Sequence, residues 1–168
     1  MKAFFTILCI VCILIPIIVY GVAIVKAVQF NANCISYLEM AADANSVQLA
    51  HKHLTTAINY LEANNLTSGN TKIFIYNPTY DIGFWYENLK SAQAQLEELS
   101  QKEELTDLEE SNALMKLRET LLDEDSVTYP SYISLYPAHV GWCWAMFLIW
   151  LLWILAILFR IAAADEAY

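Results

Sequence analysis

Residues 140–159 read VGWCWAMFLIWLLWILAILF, a run without a single charged side chain that closes on Arg160. An α-helix rises about 1.5 Å per residue, so about twenty residues cross a hydrocarbon core of roughly 30 Å. The stretch meets that length with nothing inside it that resists transfer into lipid. A second run, from Ala3 to Val25, has the same character and is flanked by Lys2 and Lys26. Basic residues suit such ends because their long stems lie along lipid while the charge reaches water. The N-terminal run is longer than the apolar part of an ordinary signal peptide and predicts an uncleaved anchor, although Val25-Lys26-Ala27 is a passable cleavage site. The expected fold class is an all-α membrane protein. Two transmembrane helices, one at each end, flank an extramembrane helical hairpin or three-helix bundle.

Working inward, the composition changes abruptly. Between Phe30 and Pro137 there are sixteen acidic and six basic residues, a net of −10. So acidic a surface argues against a nucleic-acid partner, which requires a basic face. The expected organisation is an anchor over 1–29, an acidic helical domain over 30–128, an interfacial aromatic linker over 129–138, and the second span with a short tail over 139–168. Lys2 beside the amino terminus favours cytoplasmic termini and an extracytoplasmic 30–137, with Lys26 opposing. Cys9, Cys12 and Cys143 fall in the spans and leave Cys34 alone outside them, so the domain has no disulfide framework.

Within the acidic part, Tyr37, Met40, Ala44, Val47, Ala50, Leu54, Ile58 and Leu61 recur at three- and four-residue steps and predict one helix continuing from the first span. The turn formers Asn64 to Asn70 end it, with Gly69 as a stop. Lys72 to Tyr76 (KIFIY) reads as an extended connector packed across the helices. Asp81 is placed to cap a helix whose apolar positions Ile82, Trp85, Leu89, Ala92, Leu96 and Leu99 step 3, 4, 3, 4, 3. That regular seam resembles a coiled-coil face in need of a partner helix, and Leu38 and Leu49 are candidates to receive it. Phe84-Trp85-Tyr86 cannot all face one core, so Phe84 or Tyr86 covers the connector or a partner. Thr106-Asp107-Leu108-Glu109 has the form of a capping box and opens a further helix from Asp107 to Leu122, with one continuous helix from Asp81 to Leu122 as the alternative. Tyr129, Pro130, Tyr132, Tyr136 and Pro137 then lead to Trp142 and Trp144, and such rings collect at headgroup level.

Residues able to carry chemistry are few. Cys9 and Cys12 have a redox-pair spacing but lie in an apolar helix without a charge to activate a thiol. His51 and His53 are two apart, which puts them on different helix faces. Asp123-Glu124-Asp125 lacks the glycine and distal glutamate of a calcium loop. Asn65-Leu66-Thr67 has the form of a glycosylation sequon. His139, at the mouth of the second span, is the single residue that could ligate a haem or pigment metal.

The expectation is a non-enzymatic accessory or scaffold subunit of a larger membrane assembly, with no cofactor. Its partners are the lipid bilayer and other membrane subunits or copies of itself. Met146, Trp150, Trp153 and Ile157 share one side of the second span and form the expected contact face. Gly141 and Ala145 offer a small-residue approach beside it. Two readings stand as alternatives: a self-associating pore, for which the spans offer little polar lining, and a haem- or pigment-binding subunit resting on His139.

Overall fold

The computed structural model describes the backbone of residues 2–102 and 104–165, and the side chains of residues 11, 14–102 and 104–158. The protein is mainly helical. Its elements are α1 (Lys2–Phe30), a π-helical turn (Asn31–Ile35), α2 (Ser36–Ala42), α3 (Val47–Ala63), α4 (Ile82–Ser100), α5 (Asp107–Leu121), a small hairpin of β1 (Leu122–Asp123) and β2 (Ser126–Val127), and α6 (His139–Asp165). Two compact units emerge, one of Met1–Lys26 with Pro137–Tyr168 and one of Ala27–Tyr136.

The first unit holds two helices long and apolar enough to cross a membrane. By length and hydropathy the first stretch runs from Leu14 to Ala42. Phe30, Cys34, Ile35, Leu38, Ala41 and Ala42 are nevertheless buried in the core of the second unit, so the part of that helix outside the core ends before Phe30. The helix from Lys2 to Phe30 still rises about 44 Å, ample for a bilayer core. Among the described side chains of α1, the half-buried positions Pro16, Val19, Ala23 and Lys26 step 3, 4, 3 and mark one shielded stripe. In α6 the corresponding stripe is Trp142, Ala145 and Ile149, with Ala156 two turns on. Among the described side chains of the two helices the others are open, apart from the buried Phe30 and His139 and the half-buried Met146. Cys9, Cys12, Thr6, Lys2 and Arg160 have side chains outside the described residues.

The helix does continue past Phe30, but it passes through a π-turn. The Asn33 side chain donates to the Gln29 carbonyl there at 2.8 Å. A π-turn inserts a residue into the helical repeat. The expected single helix through Leu61 is then broken at Asp43–Ser46. Ser46 adopts an extended conformation and its hydroxyl accepts from the Leu49 N–H, the ordinary geometry of a serine N-cap. The apolar spacing ran unbroken across this turn because both helices it joins face the same core. The chain reverses: Tyr37 stacks near His53 (ring centroids 6.1 Å) and Phe30 near Tyr60 (6.3 Å), an antiparallel register of α3 against the π-turn and α2.

α4 runs antiparallel to α3, as three polar links show. Tyr86 Oη donates to Glu62 Oε1 at 2.6 Å, Lys90 pairs with Glu62 at 3.6 Å, and Gln93 Nε2 donates to Thr55 Oγ1 at 2.9 Å. α4 starts where Asp81 accepts from the Phe84 N–H at 3.0 Å. It ends at Ser100, and α5 is a separate helix with a complete Thr106/Glu109 capping box. α5 closes the bundle against α2, α3 and α4. The domain is therefore built of α2, α3, α4 and α5 around one core of Leu38, Leu54, Ile58, Leu61, Ile82, Leu89, Leu96, Leu117 and Leu121. Leu49 is exposed and takes no part.

The acidic Asp123-Glu124-Asp125 segment is the turn of the β1–β2 hairpin, with Glu124 and Asp125 both at positive φ. Thr128 N–H returns to the Leu121 carbonyl at 3.0 Å, and the Thr128 carbonyl accepts from the Trp85 indole N–H at 2.8 Å. The expected surface linker is thus partly core: Val127 and Ile133 are buried, Tyr136 packs against the same cluster, and the Tyr129 ring lies 5.6 Å from that of Phe30.

Candidate functional site

Three surfaces collect the residues singled out by sequence. The first is the α4 seam. Ile82, Leu89 and Leu96 are buried, and Trp85, Ala92 and Leu99 pack against the same core. All six positions serve the interior of this chain, toward α3 and α5, and none is left as an open stripe. Tyr86 and Phe84 part company: burial, with the Glu62 carboxylate beside it, pushes the Tyr86 phenol up to about 12, while Phe84 stands 68% exposed. His53 is half-buried beside Tyr37.

The second surface is α6. Trp150 is 70% exposed and Trp153, Ile157 and Trp144 are also open, whereas Met146 is half-buried at the border of the shielded stripe. Trp144 and Phe147 meet edge-on at 6.0 Å. Among the described residues none accepts a hydrogen bond from the Trp150 indole. Ala145 lies on the shielded stripe, while Gly141 has open space where a Cβ would be. Cys143 is an exposed free thiol. His139 is buried at the start of α6.

The third surface was missed by the sequence reading. The connector KIFIY is not packed across the helices: Phe74 is 90% exposed and Ile75 79%. It sits on a loop closed at its base by its own hydrogen bonds. Asn70 and Asp81 form a bridge, Thr71 N–H donates to the Tyr80 carbonyl at 3.1 Å, and Ile82 N–H donates to the Gly69 carbonyl at 2.8 Å. Asn70 Nδ2 spans the loop to the Asn77 carbonyl at 2.9 Å, and Tyr76 Oη donates to Asp81 at 2.7 Å. Beside it a cleft of about 540 Å³ opens between residues 76–89 and 120–130, walled by Tyr76, Phe84, Trp85, Leu89 and Tyr129. Its lining offers Asp81 as the single ionisable carboxylate, and that group is engaged as a helix cap.

The chemical content of these surfaces is aromatic and aliphatic. Among the described residues no three His, Cys, Asp or Glu side chains converge as a metal would require. Comparisons with protein-family models, with curated proteins and with solved structures all return no match for this chain.

Proposed function

We propose that the protein is a two-span membrane subunit that acts as a non-enzymatic accessory or scaffold in a larger assembly, with α6 as its contact helix. The observation that carries this reading is the Trp150 indole. It lies at the middle of the apolar helix, largely exposed, and no described residue of its own chain accepts its N–H. Tryptophan prefers the membrane–water interface, where the ring is apolar and the N–H reaches a partner. In mid-bilayer an acceptor has to come from another molecule. Association within lipid gains little from hydrophobicity itself, so ring shape and such a bond carry it. Trp153 and Ile157 extend the same face by one further turn each. The termini lie in the cytoplasm and the acidic domain outside it, in keeping with Lys2 and the amino terminus.

The test is gentle extraction of the full chain followed by native mass measurement, for the wild type and for Trp150→Leu/Trp153→Leu. The exchange keeps the segment apolar, so insertion persists. Loss of a bound partner or of the oligomer supports the contact-helix role, and an unchanged assembly refutes it. A reporter active only outside the cell, fused after Tyr168, reports on the side of the termini.

A further inference from the structure

Phe74 and Ile75 are among the most exposed large apolar side chains described, on a loop that does not need them for its own structure. Their position in the domain gives them a purpose. Phe30, the last residue of α1 and the first of the core, packs near Tyr60 in the last turn of α3, and the segment after Ala63 leads into the loop. Gly69, at the base of the loop, lies so close to Tyr136 that a Cβ there would overlap the tyrosine ring and hydroxyl. Tyr136 is the last residue of the domain before the chain passes to α6. The loop base therefore shares one end of the domain with both points at which the chain continues into an apolar helix. Phe74 is only four residues from Asn70 at that base.

Charge is distributed to match. Residues 63–80 contain no carboxylate and one cation, Lys72, whose Nζ sits 4.1 Å over the Tyr80 ring; residues 126–138 contain no charge at all. The carboxylates that flank the loop in sequence are engaged, Glu62 by Tyr86 and Lys90, and Asp81 by the Phe84 N–H and Tyr76. The same end displays Tyr76, Phe84, Tyr129 and Tyr132, all exposed. An acidic domain thus presents one carboxylate-poor, aromatic end, and it is the end from which the apolar helices depart. Tyrosines with a basic residue at the rim are what a headgroup region accepts, and a Phe-Ile tip suits the boundary just beneath it.

We propose that the Lys72–Tyr76 loop is a membrane-inserting tip: Phe74 and Ile75 enter the headgroup–acyl boundary of a phospholipid bilayer, Lys72 and the tyrosines sit at headgroup level, and the domain is held against the membrane at a third point besides its two helices. This rests on the reading of α1 and α6 as membrane spans. The loop's internal hydrogen bonds preset its shape, so insertion orders little that is not already ordered.

The experiment uses the full chain in phosphatidylcholine–phosphatidylglycerol vesicles, with Cys9, Cys12 and Cys143 replaced by alanine and the buried Cys34 left in place. An environment-sensitive fluorophore is attached singly at Phe74→Cys, Ile75→Cys, Glu97→Cys or Ile154→Cys. Iodide in the buffer reads water exposure, and nitroxide-bearing lipids read depth. Insertion by roughly 5–10 Å gives labels at 74 and 75 that nitroxide lipid quenches and iodide does not reach, with the label at 97 behaving oppositely. An iodide-quenched label at 74 and 75 beside a lipid-quenched label at 154 overturns the tip while leaving the spans intact. A label at 74 shielded from both quenchers overturns it in favour of a protein occupant. An iodide-quenched label at 154 removes the spans and the tip together.

Discussion

Glu110 of α5 accepts a hydrogen bond from the backbone N–H of Val47, the first residue of α3, at 2.9 Å and across 63 residues of sequence. The start of a helix carries unsatisfied N–H groups and a partial positive charge, so a carboxylate there satisfies a donor and meets a favourable field. Ser46 caps the same terminus locally, and Glu110 adds a tertiary clamp. Glu110→Ala is expected to cost about 1 kcal/mol, while Glu110→Gln, which keeps an acceptor, costs less. Denaturant titration of the two variants decides; equal losses would mean that the side-chain oxygen contributes nothing.

Gly69 has φ +112° and faces Tyr136. Gly69→Ala combines a backbone conformation that L-residues avoid with a steric overlap, and a loss of about 1–3 kcal/mol is expected from the backbone alone. Adding Tyr136→Ala relieves the overlap but not the backbone cost. The double variant should therefore recover part of the loss, which a double-mutant cycle in thermal unfolding measures. No recovery would place the entire penalty in φ.

Leu89→Ala and Leu96→Ala remove nearly fully buried side chains between α3, α4 and α5, and each is expected to cost about 2–5 kcal/mol. Glu97→Ala, on the exposed side, should be close to neutral. Gln93 is not an equivalent control, because its amide reaches Thr55. If the melting points of Leu96→Ala and Glu97→Ala coincide, α4 is not packed as described.

Asp81 supplies a pH dependence. The Phe84 backbone N–H, with the Tyr76 hydroxyl behind it, holds its carboxyl below the usual carboxylate range. A group whose folded pKa is depressed contributes stability that is fully present above its unfolded pKa and is lost as pH falls through the folded one. Asp81→Asn keeps a capping oxygen but cannot titrate. The wild-type advantage over this variant should be constant near neutrality and shrink once the pH drops through and below the ordinary aspartate range. Taking the difference between the two melts cancels the bulk effect of the other carboxylates. A difference that stays flat down to the lowest pH at which both fold would mean that Asp81 is not held ionised by its partners.

Much of the architecture was legible because short-range chemistry decided it. Asp81 and the Thr106–Glu109 pair announce helix starts through donors that must be satisfied within one turn. The 3, 4, 3, 4, 3 spacing of α4 marks a buried side wherever its partner comes from. What it could not reveal was the full set of partners: of the two candidates to receive the seam, Leu38 lies in the same core, whereas Leu49 is exposed. The turn at Asp43–Ser46 was hidden because Met40, Ala44 and Val47 keep a helical rhythm across it; Asn45-Ser46 was the available signal. The exposure of Phe74 and Ile75 ran against hydropathy, which knows the preference of a side chain for leaving water but not whether protein or some other phase receives it. Glu110 at Val47 was beyond sequence reading altogether, since nothing local links positions so far apart.

The contact of Phe30 with Tyr129 and the burial of Ile133 have a consequence for the order of events during synthesis. Phe30 is among the first core residues to leave the ribosome and Ile133 is the last. Between them the nascent chain carries a greasy, half-finished bundle whose Trp85 indole lacks the Thr128 carbonyl and whose α1–α2 junction has no cover. Contacts so distant in sequence close slowly. Closure also comes only as α6 begins to emerge, so the domain matures and the second apolar helix seeks its phase at nearly the same moment. Released chains ending at Asp125 should therefore be cut readily near Phe30 by added protease, while released chains ending at Tyr136 resist; equal sensitivity would uncouple the two events.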